Sequence, residues 1–150
     1  MAANGKASGP APGAAVALGV GGLVPFVALA LLAVLVPQWY AIWLDALATY
    51  GAVILAFVGA LHWGYALRAG TSGPRAWLQY GWSVVPALVG WLSLQTPVWT
   101  CLRLQAAMLV ACLAVDRAMR RIEPFPTWFM RLRALLTVVA VAALAGASIA

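Results

Sequence analysis

The run YGAVILAFVGALHWGYAL, residues 50–67, decides the fold. It contains no Asp, Glu, Lys or Arg, but it includes His62, the only histidine of the chain. A helix that crosses about 30 Å of hydrocarbon needs roughly 17–25 predominantly apolar residues. The run therefore predicts a transmembrane helix with a histidine inside it.

The composition extends this interpretation to the whole chain. Of its 150 residues, 65% are hydrophobic and 8% are charged, whereas soluble domains carry about 25% charged residues. A soluble core of this size cannot bury so many apolar side chains, but lipid accepts them on the outer face of each helix. The composition indicates an integral membrane protein with membrane lipids around it.

Five runs are long and apolar enough to span a bilayer. They predict an all-α integral membrane protein, a bundle of five transmembrane helices in a single domain of residues 14–150, preceded by a flexible tail at residues 1–13. Pro25 and Pro86 fall inside spans, where proline is tolerated as a kink if neighbours satisfy the freed carbonyls. The predicted spans are residues 14–36, 44–67, 77–94, 98–115 and 132–150.

The basic residues predict the orientation. The formal charge is +6, but these residues lie between apolar runs, so they indicate topology rather than nucleic-acid binding. With five crossings, eight of the nine Lys and Arg residues share one side with the N-terminus, and only Arg103 lies toward the other. The positive-inside rule then predicts a cytoplasmic N-terminus and a periplasmic C-terminus.

The second span carries small residues at every fourth position. This spacing predicts a face on which a neighbouring helix backbone approaches closely. The predicted helix-packing face consists of Ala48, Ala52, Ala56, Ala60 and Gly64.

His62 lies six residues before Arg68, so on a helix it is about 9 Å inside the end of its span. Asp116 closes the fourth span and Tyr80 opens the third, both on the same side. We expect a polar cluster of His62, Tyr80 and Asp116, because an unpaired polar group in lipid is costly. The cluster has two interpretations: it locks helices together, or it forms a proton or ligand site.

The sequence lacks the motifs of metal-binding and nucleotide-binding sites. No CxxC or HExxH pair is present to bind a metal, and GVGG at residues 19–22 lacks the strand and lysine of a nucleotide loop. Cys101 and Cys112, eleven residues apart in one apolar run, are about 16 Å apart on a helix, beyond disulfide reach. We therefore expect free buried thiols, no catalytic residue, no metal and no cofactor.

Several strings occur in an order that resembles a known family: YGAVILAFVGALHWGYAL, YGWSVVPALVGWLSL, a lone Asp116 and PTWFMRLRALLTVVAVAAL. They are similar to the domain-of-unknown-function family 3429 (DUF3429), whose animal members are called transmembrane protein 69. The resemblance covers about residues 23–145 and implies a five-span protein of bacterial inner membranes with no assigned activity. The positions that match the family pattern are His62, Trp63, Gly64, Pro86, Asp116, Trp128 and Arg133.

Three functions remain open from the sequence. The first is a non-enzymatic accessory subunit or assembly factor of a larger inner-membrane complex, which contacts other membrane proteins or further copies of itself through its helices. The second is a small transporter or proton-linked channel that uses His62 and Asp116. The third, supported by less, is a membrane enzyme that acts on a lipid or quinone.

Overall fold

The computed structural model describes residues 11–119 and 125–149, and the described parts of the chain contain helices and no strands. The fold is all-helical, as predicted. Residues 1–10 of the predicted tail and Ala150 of the last predicted span lie outside the described residues. The helices are α1 Gly13–Gly21, α2 Val24–Leu35, α3 Tyr40–Ala69, α4 Pro74–Ser93, α5 Val98–Met119 and α6 Thr127–Ala147, with a short 3-10 turn, Pro37–Trp39, before α3.

Most helices are longer than the apolar runs that predicted them. The helix α3 has 30 residues and begins at Tyr40, and α6 begins at Thr127, five positions before its predicted start. The added turns carry aromatic or charged residues such as Trp43, Arg68 and Arg131. Hydropathy detects only the part of a helix that matches the hydrocarbon, whereas the backbone hydrogen bonds continue through the interfacial layers.

The first predicted span is broken into α1 and α2 at Gly22 and Leu23. Pro25 occupies the first turn of α2, where its missing N–H breaks no helical hydrogen bond. The Tyr50 hydroxyl of α3 donates a hydrogen bond of 2.8 Å to the Gly22 carbonyl. A neighbouring helix therefore satisfies a carbonyl at the break, as a proline-containing span requires in lipid.

The helix α3 is the centre of the bundle and contacts α2, α4 and α5, while α6 packs against α2 and α5. Its buried positions alternate in steps of about three and four residues, which keeps them on one face of a helix. They are Leu44, Leu47, Ala48, Gly51, Leu55, Val58, Gly59, His62 and Ala66.

Only the first half of the predicted small-residue face packs inside the bundle. Ala48 is buried and Ala52 lies against Gly90 of α4, but Ala56, Ala60 and Gly64 are exposed. Four residues turn a helix by about 400°, so an every-fourth-residue stripe drifts by about 40° per step and about 160° over four steps. The stripe therefore leaves the buried face of α3 halfway along the helix.

The close helix contact in the second half of α3 uses Gly59 instead. A side chain at Gly59 would collide with the Ser83 backbone oxygen of α4 and would lie 3.3 Å from the Pro86 ring. Because Gly59 has no side chain, α3 approaches α4 closely at Pro86.

The helix α4 has an inverted distribution of side chains. Its buried residues are small or polar: Ser83, Pro86, Gly90 and Ser93. Its large apolar side chains, among them Trp77 (84% exposed) and Leu78 (77% exposed), face outward. This distribution suits a helix whose outer face is covered by lipid rather than by water.

Among the described residues, four stretches are apolar and long enough to cross a membrane by length and composition: Gly13–Leu35, Pro37–Ala69, Val98–Met119 and Thr127–Ala147. The third predicted span, residues 77–94, corresponds to α4, which falls outside this set. It has 20 residues, which gives a length of about 30 Å. The helix is therefore long enough to span the hydrocarbon. Its mean hydropathy is low because it contains Arg, Gln, Tyr, Trp, Ser and Pro residues.

We expect Gly59→Ala to destabilise the bundle by roughly 1–3 kcal/mol, because the added methyl group overpacks the contact with α4. The matched control is Gly64→Ala on the same helix, where an added Cβ meets nothing within 4 Å. Alanine is favoured over glycine in a helix, so the control should be neutral or slightly stabilising. Reversible unfolding in detergent measures both. An equal loss at Gly64 would contradict the contact assigned to Gly59.

Candidate functional site: a buried cluster of His62, Asp116 and Arg133

Asp116 binds side chains from two other helices. Its Oδ1 lies 2.9 Å from His62 Nε2 of α3, and its Oδ2 accepts a hydrogen bond of 3.0 Å from Arg133 Nε of α6. All three residues are buried, with 4%, 5% and 6% of the surface of His62, Asp116 and Arg133 exposed. The carboxylate therefore joins α3, α5 and α6 at one point, which we call the triad.

The local structure of each helix puts the three side chains at similar depth. His62 follows the buried face of α3 about 9 Å from Arg68, and Arg133 lies six residues inside the start of α6, also about 9 Å. Asp116 lies in the last turn of α5. Helices α3 and α5 end, and α6 begins, at the same end of the bundle, where the Tyr65 and Phe125 rings are 5.1 Å apart.

The proton positions follow from the donor and acceptor roles. A carboxylate only accepts hydrogen bonds, so the contact with Asp116 requires His62 to carry a proton on Nε2. The guanidinium of Arg133 is always charged and offsets the charge of the carboxylate. Arg133 also reaches Thr137 Oγ1, one helical turn further along α6, through Nη1 at a distance of 3.5 Å.

One group of the triad has no partner. Among residues 11–119 and 125–149, Arg133 Nη2 is buried without a hydrogen bond. A buried donor that has lost its water is costly unless it finds an acceptor.

The third member of the predicted cluster, Tyr80, lies elsewhere. Its ring packs edge-on against Trp63, with centroids 4.9 Å apart, and its hydroxyl makes no hydrogen bond to His62 or Asp116 within the described residues. Trp63 follows His62 in the chain and lies on the exposed side of α3. Tyr80 is therefore brought to the outer edge of the contact between α3 and α4.

The sequence interpretation did not place Arg133 in the cluster, because it counted this residue among the topology signals. Its position was an available signal: Arg133 is followed by an apolar run and lies two residues further inward than Arg131. A basic residue inside a span needs a partner or a water-filled cavity, and Asp116, directly after the fourth predicted span, is an acidic residue on the same side.

A second buried polar cluster lies further along α5. Gln105 Nε2 is 2.8 Å from the Ala48 carbonyl of α3, 3.1 Å from Ser93 Oγ of α4 and 3.3 Å from Cys101 Sγ. A Cβ at Gly51 would collide with the Gln105 amide, so the glycine makes room for it. Gln105 was not predicted as a contact residue, and it joins α3, α4 and α5 as the triad joins α3, α5 and α6.

The cysteines and the other potential metal ligands form neither a disulfide nor a metal site within the described residues. Cys101 and Cys112 are free and buried, as predicted. Within the described residues, no group of three or more His, Cys, Asp or Glu side chains is placed to hold a metal ion.

Comparison with known proteins identifies the family. The family model described as "Protein of unknown function (DUF3429)" matches residues 11–149. The chain belongs to this family. The resemblance of its sequence motifs is thereby confirmed.

Two curated relatives are similar over most of the chain. Transmembrane protein 69 of Xenopus tropicalis is 37% identical over 147 residues, which are 96% of this chain and 57% of that protein. Transmembrane protein 69 of Mus musculus is 27% identical over 133 residues, 86% of this chain and 53% of that protein. The chain thus spans little more than half the length of these relatives. No solved structure matches it. The similarity and the apolar helices make the chain a multi-pass membrane protein.

The positions drawn from the family pattern have different surroundings. His62, Asp116 and Arg133 form the triad, and Pro86 lies in the contact of α4 with Gly59. Trp63 contacts Tyr80, and Trp128 packs edge-on against Phe129, with ring centroids 5.9 Å apart. Gly64 is exposed.

We expect Asp116→Asn to destabilise the fold by about 3–5 kcal/mol, because it leaves the Arg133 charge buried without a counter-charge. The double variant Asp116→Leu/Arg133→Met removes both charges, so it should recover a large part of this loss. Asp45→Asn, at an exposed position of α3, is the matched control and should change little. Unfolding in detergent measures all three. Equal stability of Asp116→Asn and the wild type would show that the triad contributes nothing to folding.

Proposed function

We propose that the chain is a non-enzymatic, five-span protein of a bacterial inner membrane that acts through helix contacts, as an accessory subunit or assembly factor of a larger membrane complex. The observation that carries this proposal is the triad. Each of its two charges has its counter-charge within the bundle, and its hydrogen bonds join three helices. Such an arrangement accounts for intramembrane ionisable residues by stability alone.

Along the buried face of α3, the described residues offer no further polar side chain that would continue the triad. The carboxylate of α3, Asp45, lies 17 residues from His62, which is about 25 Å along the helix. The buried groups between them on α3 are apolar, apart from the backbone that Gln105 contacts. This separation favours a structural role over a relay.

The proposed orientation, with the N-terminus in the cytoplasm, rests on the ends of the helices. At one end, the Tyr40 hydroxyl of α3 contacts the Ala147 carbonyl of α6, and the Tyr40 and Trp99 rings are 5.7 Å apart. The opposite end carries Arg68, Arg75, Arg117 and Arg131. The positive-inside rule assigns that end to the cytoplasm, and the alanine- and arginine-rich composition supports a bacterial host.

The orientation and the membrane crossing of α4 are tested together by labelling single cysteines in a Cys101→Ser/Cys112→Ser background. We expect Thr71→Cys, in the turn between α3 and α4, to react only from the cytoplasmic side. Thr96→Cys, between α4 and α5, should react only from the outer side, because α4 then crosses the membrane. Labelling of both positions from the same side would exclude a membrane-spanning α4.

The proposed role is tested by the native mass of a tagged chain extracted gently at native expression. An accessory subunit should be recovered in fixed stoichiometry with defined membrane proteins, and His62→Ala should reduce its amount through lower stability. Recovery as a lone monomer or small homo-oligomer would contradict the accessory role.

The second candidate is a small proton-linked transporter, favoured by the buried ionisable triad at one end of the bundle. In liposomes it predicts a flux that His62→Ala abolishes and that Asp45→Asn leaves unchanged. Loss of flux in both variants would instead indicate a general loss of protein.

A further inference from the structure

A cavity of about 530 Å³ lies between α1, α2, α3 and α6. Its walls are almost entirely apolar, and the polar side chains in them are Arg133 and Thr137. Phe57 and Leu61 of α3 and Leu132 and Leu136 of α6 belong to the apolar part. The volume falls in the range of about 300–1,000 Å³ typical of small-molecule sites.

The cavity has the length and position of one bilayer leaflet. On α6 it extends from Trp128 to Ala140, twelve residues or about 18 Å. This length is close to that of one leaflet of the hydrocarbon core, which is about 15 Å, half of about 30 Å. Trp128 lies in the first turn of α6, beside the basic residue Arg131, so the cavity begins at the polar interface and continues toward the membrane centre.

Arg133 lies at the depth where a lipid ester would be. It is six residues, about 9 Å, inside the start of α6. The headgroup layers add about 5–7 Å on each side of the hydrocarbon, so a helix that begins in the headgroups reaches the hydrocarbon boundary near this residue. The ester carbonyls of a phospholipid join its glycerol to its acyl chains at this boundary.

The polar side chains in the cavity wall, Arg133 and Thr137, are suited to bind an uncharged hydrogen-bond acceptor. Arg133 Nη2 has no hydrogen-bond partner among residues 11–119 and 125–149, and Thr137 lies one turn further along with a hydroxyl that can donate. Asp116 already offsets the Arg133 charge. A second anion beside that carboxylate would be repelled, whereas a carbonyl oxygen accepts the N–H and adds no charge.

We propose that the cavity binds one acyl chain of a bilayer phospholipid, with the ester carbonyl at Arg133 Nη2 and Thr137 and the hydrocarbon chain between α1, α3 and α6. This contact requires the Arg133 side chain, which lines the cavity, to shift until the buried Nη2 faces the carbonyl. This proposal requires the membrane-embedded bundle but not the accessory role, so either can fail without the other.

The experiment uses the full chain in vesicles of phosphatidylethanolamine and phosphatidylglycerol that contain a trace of phosphatidylethanolamine with a diazirine on its acyl chain. After illumination, we expect adducts concentrated in residues 15–26, 54–61 and 128–140. The outward residues of α4, such as Trp77 and Leu78, report ordinary contact with surrounding lipid. Adducts spread evenly over α4 and the cavity segments would overturn the proposal.

Matched glycine variants separate occupancy from folding. A Cβ at Gly19 would lie 3.4 Å from Leu136 Cδ1 and 3.5 Å from Leu132 Cδ2, so Gly19→Leu places its side chain in the cavity. Gly21→Leu, on the same helix but with no atom within 4 Å of its Cβ, is the control. We expect a several-fold loss of cavity adducts in Gly19→Leu alone. Equal adduct yields in the two variants would contradict binding in the cavity.

Two further arms test the chemistry of the occupant. Arg133→Lys keeps the charge opposite Asp116 but removes the Nη2 donor, so native mass spectra should show several-fold less retained phospholipid than for the wild type. Unchanged retention would exclude the assigned carbonyl contact. Added decyl-ubiquinone, which also carries carbonyl oxygens on an apolar body, should not displace the cavity adducts. Displacement at equal mole fraction would assign the cavity to a quinone and overturn the lipid proposal.

Discussion

The position of three helices depends on one carboxylate, because Asp116 has to satisfy its two oxygens inside the bundle. Apolar side chains do not fix helix positions in a bilayer to the same degree, since lipid tails solvate them as well as a neighbouring helix does. Polar groups have no such alternative. The hydrogen bonds of Asp116 to His62 and Arg133 therefore set how α5 lies against α3 and α6. Gln105 does the same for α3 and α4 through the Ala48 carbonyl and Ser93.

The apolar runs and the helical rise were enough to predict the helical fold and the meeting of His62 with Asp116. Both quantities depend on distance along a helix, which is fixed at about 1.5 Å per residue. Rotation about the helix axis was harder to predict. The stripe from Ala48 to Gly64 failed because its drift accumulates, and Tyr80 failed because α4 turns Ser83 and Pro86 inward instead.

Arg133 shows why a charge near a membrane boundary is difficult to interpret from sequence. The same residue type serves as a topology signal in a loop and as a counter-charge one or two turns further inside a helix. The distinction depends on where α6 begins, and hydropathy placed that start five residues too late. Arg131 and Arg133 differ by only about 3 Å along α6 but by about 200° around its axis, so Arg131 is exposed and Arg133 is buried.

The inverted helix α4 affects how the chain reaches its membrane. Alone in lipid, it would expose Ser83, Ser93 and the backbone around Pro86, all of which the folded bundle covers. The partner that covers Ser83 and Pro86 is α3, the helix synthesised immediately before it. A span formed by α4 would therefore be favoured when it inserts as the second arm of a hairpin with α3. The turn at residues 70–73, with Gly70 and Gly73 at positive φ, is short enough to deliver the two arms together during translation.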